Sequence, residues 1–386
     1  MNMSNELAYL KAGALSVAMM ATVGFSGVSQ ASQIAEVAKI QLAILLDTSN
    51  SMDGLIDQTR NQLWQVVNEF AVAKRNGVTP ILEIALYEYG NDGLPRSTGY
   101  IRQLNAFTRE LDQVSQGLFS LTTNGGSEYC GYAIQTALNE LQWSHSTSDI
   151  KTIFIAGNEP FTQGPVNFRH AIEQARGIGV VINTIHAGNH NEGIAEGWQS
   201  GARLAGGDYM SIDHNIQVVH FDAPQDQRIA ELNALLNDTY IPYGAEGEFK
   251  QDMQLEQDEQ TSSISIGLLA KRAKTKASAF YDNAKWDLVD AIRQGKVDAA
   301  DLAEFEAEAL PEPMQAMSFG ERLDYVKAKG AERKKLQQEI TALGKERDAF
   351  VAEMRAKMAD QAPSMSDALI GAVKKQAEEK EFVFAE

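Results

Sequence analysis

The run from Ile40 to Leu46 is almost wholly apolar and ends in Asp47-Thr48-Ser49-Asn50-Ser51-Met52. A half-buried strand alternates apolar and polar residues, whereas a central strand of a parallel sheet is covered on both faces and reads as a continuous apolar run. The segment therefore predicts a central parallel strand with Asp47 at its carboxyl end, where open α/β sheets place their ligand sites. A carboxylate followed by hydroxyls at alternate positions offers a hard cation one charged and two neutral oxygens, and leaves other coordination positions for water or a ligand. Mg²⁺ or Mn²⁺ suits that donor set. The competing reading of the same residues is a strand-to-helix turn in which Ser or Asp caps the next helix.

The rest of the first half repeats strand and helix in turn. Apolar runs predict strands at 81–89, 100–104, 152–156, 180–185 and 209–212. Helical spacing of apolar residues predicts helices at 55–70, 109–118, 130–141, 166–175, 194–204 and 225–236. Strands alternating with helices over about 200 residues imply an α/β domain, a doubly wound and mostly parallel sheet flanked by helices, with right-handed crossovers.

Asp47, Ser49 and Ser51 form an Asp-x-Ser-x-Ser pattern after a strand, and this resembles the metal-ion-dependent adhesion site of von Willebrand factor A domains. The family pattern brings a second hydroxyl from a loop with a Gly pair ahead of a helix. Gly125-Gly126-Ser127 offers Ser127 in that place, a chemically equivalent neutral oxygen, and the glycines permit close backbone approach to the Asp47 loop. A third loop of the family begins with an Asp that reaches the metal through water. Here the sequence is Ala156-Gly157-Asn158-Glu159-Pro160, so Gly157 stands at the matching position and the carboxylate is missing. Asn158, Glu159 and Glu128 are the nearby residues able to supply an oxygen in its stead. The resemblance covers residues 38–240 and implies a binding module in which Asp47, Ser49, Ser51 and Ser127 hold one Mg²⁺ or Mn²⁺. A protein partner's Asp or Glu carboxylate would complete the coordination. The chain resembles bacterial secreted proteins of this type that carry a helical C-terminal extension.

Residues 241–262 turn acidic, with Glu246, Glu248, Asp252, Glu256, Asp258 and Glu259 among few apolar residues, and read as a linker. Beyond it, residues 263–386 show no strand pattern. Between Arg333 and Met354, Leu336, Ile340, Leu343, Phe350 and Met354 follow alternating four-three spacing, with Arg347 where a further apolar residue is expected. This is a short coiled-coil-like seam, which offers self-association through the helical tail, or else an amphipathic helix packed on its own domain.

The chain has 386 residues and 44% hydrophobic content, enough for a sizeable core, and a formal charge of −18. That charge argues against non-specific nucleic-acid binding and against anionic membranes. Lys11, the apolar small-residue run 12–28 and Ser29-Gln30-Ala31 resemble a secretory signal peptide cut after Ala31, which predicts a periplasmic or secreted protein with no stable membrane anchor once cleaved. Cys130 is the only cysteine, so no intramolecular disulfide forms, and its place in an apolar helix pattern predicts a buried small hydrophobe.

No Gly-x-Ser-x-Gly elbow, Gly-rich phosphate loop ending in Lys, or His-Glu-x-x-His pattern is present, so no enzyme is expected. His186 and His190 fall in a loop composition at the sheet's ligand edge rather than on a helix face. The expected function is divalent-cation-dependent protein binding or adhesion. The alternative is a metal-independent structural or assembly protein that binds partners through its helical C-terminal region.

Overall fold

The computed structural model describes residues 37–50, 52–212, 221–357 and 365–384. The segment read as a signal peptide, residues 1–31, and Ser51 lie outside the described residues. The order is β1 (Lys39–Asp47), α1 (Asp53–Phe70), β2 (Ala73–Arg75), β3 (Ile81–Tyr89), β4 (Ile101–Thr108), α2 (Leu111–Phe119), α3 (Cys130–Glu140), β5 (Ile150–Gly157), α4 (Phe168–Gly177) and β6 (Val181–Ala187). Then follow α5 (His190–Ala195), α6 (Trp198–Leu204), β7 (Gly206–Ile212), α7 (Asp226–Asn237), α8 (Gly247–Ile264), α9 (Ile266–Lys276), α10 (Leu288–Arg293), α11 (Glu312–Gln315), α12 (Phe319–Ala356), α13 (Met365–Glu378) and β8 (Phe382–Phe384).

Six strands form one sheet in the order β4-β3-β1-β5-β6-β7, parallel except for the edge strand β4. Because successive side chains leave a strand on opposite faces, β1 feeds two cores. Leu42, Ile44 and Leu46 join the core that contains α1, α2 and α7, while Ala43 and Leu45 join the core beneath α3, α4 and α6. The expected doubly wound sheet is the observed one, with β1 at its centre. The single helix expected over 194–204 is two, α5 and α6, separated at Gly197, whose φ of 97° ends one turn of helix before the next begins.

The acidic segment expected as a linker is helix α8. Glu248, Asp252, Glu256 and Glu259 are all exposed and recur at helical spacing, so they form one solvent face. The opposite face is buried yet polar, with Gln254, Gln257, Asp258 and Thr261. An amphipathic helix is recognised by an apolar stripe, and α8 has none. Its buried face is held instead by ions: Arg272 Nε donates to Asp258 Oδ1 at 2.6 Å, and Lys276 Nζ lies 2.8 Å from Asp258 Oδ2. Arg272 also reaches Asp112 on α2 at 2.6 Å and lies over the Trp64 ring on α1, 4.8 Å from its centroid.

This cation fastens the helical extension to the sheet-bearing part, and the two share one core. Leu268 and Ala273 of α9, Leu336 and Ile340 of α12, and Val373 of α13 cluster with Leu42, Ile44 and Trp64. The coiled-coil-like seam of α12 therefore packs inside its own chain. Arg347, at the anomalous polar position of that seam, is buried and donates to Asp226 of α7 at 2.5 Å. Hence the polar residue in the seam marks an internal ion pair, and the buried part of the seam is not presented to a second copy. One strand escaped the sequence reading of the tail: β8 pairs antiparallel with β2, too short a run for periodicity to register. Among the described residues, no helix is long and apolar enough to cross a membrane.

Candidate metal-binding site

Asp47 ends β1 in register with Tyr89 of β3, so the carboxyl edge of the sheet places the Asp47 carboxylate beside the tyrosine. The following turn folds back on it. Ser49 donates its backbone N–H to Asp47 Oδ1 at 2.7 Å and its hydroxyl to Oδ2 at 3.2 Å. Both residues are buried. The second loop is tied down by backbone bonds, Asn124 N–H to the Thr48 carbonyl at 3.0 Å and Asp92 N–H to the Gly125 carbonyl at 2.7 Å. A side chain at Gly126 would run into the Gly90 carbonyl, so this approach requires a glycine there.

The loops bring Glu128 to Asp47. Glu128 is 3% exposed, it lies close enough to Asp47 for the two carboxyl groups to influence each other electrostatically, and its Oε2 accepts the Glu159 backbone N–H at 3.2 Å. Ser127 is half-buried, makes no hydrogen bond to the described residues of the Asp47 loop, and lines the neighbouring hollow with Arg96, Tyr129, Tyr132 and Gln163. Of the oxygen sources near the third loop, Glu159 is exposed and contributes its backbone at this point, while Asn158 is half-buried. The resemblance to the family's second loop, a hydroxyl after a Gly pair, gave Ser127 prominence in the sequence. The residue beside it is the one whose side chain turns inward, a choice set by the loop's backbone and invisible to spacing.

Electrostatically the pair is uncompensated. Burial pushes the Asp47 pKa well up, and the nearby Glu128 charge raises it further. Glu128 is also raised, chiefly by burial. Among the described residues no lysine, arginine or histidine pairs with either carboxylate. Two buried carboxylates with hydroxyl oxygen alongside are hard donors in excess of positive charge, which fits a divalent cation of the Mg²⁺ or Mn²⁺ type. Asp47, Ser49 and Glu128 are the described side chains that would hold it. Among the described residues no cluster of three or more His, Cys, Asp and Glu side chains is arranged to hold a metal, so the donor set rests on two carboxylates supplemented by neutral oxygens.

Gly157 has a physical explanation in this fold. Tyr89, fully buried, donates its hydroxyl to the Ala156 carbonyl at 2.9 Å and fills the space a side chain at 157 would take. A Cβ there would collide with that hydroxyl and approach Asp47 Cβ to 3.1 Å. Gly157→Ala is therefore expected to destabilise the protein by about 1–3 kcal/mol, the usual cost of overpacking, and urea denaturation measures it. Wild-type stability in that variant would show that Tyr89 yields and that the loop has room for the missing carboxylate. Tyr89 also lies against Cys130, whose Sγ is 3.7 Å from the hydroxyl, and burial pushes that thiol well up, keeping it protonated.

The two histidines at the sheet edge take separate roles. His186 is buried on β6 with Nε2 3.5 Å from Glu196, whereas His190 opens α5 and pairs Nδ1 with the Ser211 hydroxyl at 3.1 Å.

The family model of the von Willebrand factor type A domain matches residues 41–196. No curated protein matches the chain significantly in sequence. Among solved structures, the chain is similar to proximal thread matrix protein 1 from the mussel byssus, at 14% identity over 46% of this chain and 42% of that one, with a TM-score of 0.34. The mussel protein has also been solved with zinc in its adhesion motif. The SpRpn10 VWA domain aligns at 16% identity over 47% of this chain and 91% of that one, TM-score 0.36. The pilus adhesin SpaC from Lactobacillus rhamnosus GG aligns at 13% identity over 46% of this chain and 28% of that one, TM-score 0.35. The chain thus spans less than half the length of the mussel protein and of the adhesin. With β1 central and Asp47 at its carboxyl end, residues 41–196 of this chain are similar to the von Willebrand factor type A domain.

Proposed function

We propose that the protein is a periplasmic or secreted, non-catalytic interaction module that binds a protein partner in a divalent-cation-dependent way. The observation that carries the reading is the buried Asp47–Glu128 pair, which has no cationic side chain paired with it among the described residues, at the carboxyl edge of the central strand. A bound Mg²⁺ or Mn²⁺ would neutralise the pair and supply an electrophilic centre for a partner's Asp or Glu carboxylate. Asp47 and Glu128 contribute the charged oxygens, Ser49 and Ser51 contribute neutral ones directly or through water, and Ser127 contributes one through water. The exposed loops around the site, including 91–98, give the partner its selectivity. Residues 1–31, with the pattern of a cleaved leader, support export.

Calorimetric titration of Mn²⁺, Mg²⁺ and Ca²⁺ into the metal-stripped protein tests the metal requirement. One saturable site is expected, with affinity reduced at least about 100-fold in Asp47→Ala, since a charged ligand at a dication is worth several kcal/mol. Equal affinity in the wild type and the variant would overturn the assignment of Asp47. Absence of binding by the wild type would move the interaction away from this edge.

A further inference from the structure

A second site lies in the helical extension. Between α9, α10 and α12 is a cavity of about 460 Å³, within the range of small-molecule pockets. Its apolar wall includes Tyr281, Val289, Leu323 and Val326, and most of its exposed lining is apolar. Its charged lining is lopsided: Arg293, Lys327, Arg333 and Lys334 face one acid, Asp290, in a chain whose formal charge is −18. Arg333 is buried and already committed to Asp287 and Asp290, and Arg293 pairs with Asp290 at the surface. Lys327 and Lys334, one α12 face apart in sequence by seven residues, are exposed and take no ion-pair partner among the described residues.

Gly330 forms part of the wall midway between those lysines. It lies inside the 38-residue helix α12, where glycine costs about 1 kcal/mol relative to alanine. Close packing does not demand it, because an added Cβ would meet only Val289 Cγ1, at an ordinary 3.4 Å. The effect of the missing side chain is to leave cavity volume open.

The geometry points to this cavity as a binding site for a small amphipathic anion, its apolar body among Val289, Leu323 and Val326 and its anionic head at Lys327 and Lys334. An apolar lining rewards burial of a hydrocarbon body, and the two unpaired ammonium groups at the rim reward a carboxylate or sulfonate head rather than a neutral or cationic one. This site is independent of the proposed metal site, and divalent cations do not enter its recognition.

Decanoate titrated into the full chain, followed by displacement of 1-anilinonaphthalene-8-sulfonate fluorescence, tests the proposal. Saturable binding of decanoate is expected, with decanol and decyltrimethylammonium weaker by at least about tenfold, the scale of one charge-assisted contact. Gly330→Leu, which fills the cavity, should abolish displacement. Lys327→Glu with Lys334→Glu, both at exposed positions, should weaken decanoate at least about tenfold while leaving the melting temperature unchanged. No saturable binding by the wild type, or binding unaltered by both variants, would overturn the site. If Gly330→Leu fails to fold, the double lysine variant decides between these outcomes.

Discussion

Replacement of Arg272 by Ala is expected to lower the unfolding free energy by about 3–5 kcal/mol, the cost of removing one partner from a buried ion network. Arg272 is fully buried and makes three hydrogen bonds, to Asp112 at 2.6 Å, Asp258 at 2.6 Å and the Gln254 carbonyl at 3.0 Å. Its loss leaves Asp112 without an ion-pair partner and Asp258 with Lys276 alone among the described cationic residues. Burial alone would raise the Asp258 pKa, but Lys276 and Arg272 outweigh it and hold this carboxyl well below the usual carboxylate range. A carboxyl with a depressed folded pKa contributes stability above its unfolded value near 4, and loses it as the pH falls toward the folded value. The destabilisation in Arg272→Ala should therefore be largest near neutrality and shrink in strong acid. Urea denaturation at several pH values measures both. Because Arg272 joins α9 to α2 and α8, a single cooperative transition shifted to lower urea is expected. Two separated transitions would show that the helical extension unfolds on its own.

At the sheet edge, Glu128→Gln should change stability and metal binding in opposite directions. The amide is nearly isosteric and supplies a donor to Asp47, so it removes a like-charge contact from a buried place. The metal-free variant is expected to be more stable than the wild type by about 1–2 kcal/mol at neutral pH. Both Asp47 and Glu128 are raised in the folded protein. A raised carboxyl pKa costs stability above that pKa, and the cost is relieved as the pH falls through it. The advantage of Glu128→Gln over the wild type should accordingly fade on acidification. Mn²⁺ affinity should fall by about 10–100-fold, the usual span for loss of a ligating or closely supporting group. Ser127→Ala should cost less, since water replaces a neutral oxygen more readily than a charged one. Thermal melts with and without Mn²⁺ read both effects together: Mn²⁺ should raise the wild-type melting temperature and raise that of Glu128→Gln less. Equal Mn²⁺ stabilisation in the two proteins would remove Glu128 from the ligand set. A less stable metal-free variant would instead mean that Glu128 is needed to hold the loop.

The sheet's centre, and the place of Asp47 at its carboxyl edge, were legible in the sequence alone. A strand covered on both faces must be apolar throughout, so β1 was legible from Ile40 to Leu46, and Asp47 at its end follows from where parallel strands terminate. Helices with an apolar stripe, such as α1, were legible for the same reason. Tertiary structure decided what has no local signal. Helix α8 buries a polar face, and only the cations Arg272 and Lys276 arriving from α9 make that face compatible with the interior. Arg347 broke the pattern of α12 because its partner, Asp226, is distant in sequence. At the site, the family resemblance favoured Ser127, while the loop's backbone turned Glu128 toward Asp47, and the absent acid at 157 found its explanation in Tyr89 from the adjacent strand. Periodicity reports which faces of an element avoid water. Which polar groups meet inside is fixed by long-range pairing, and that pairing exists only once the chain has folded.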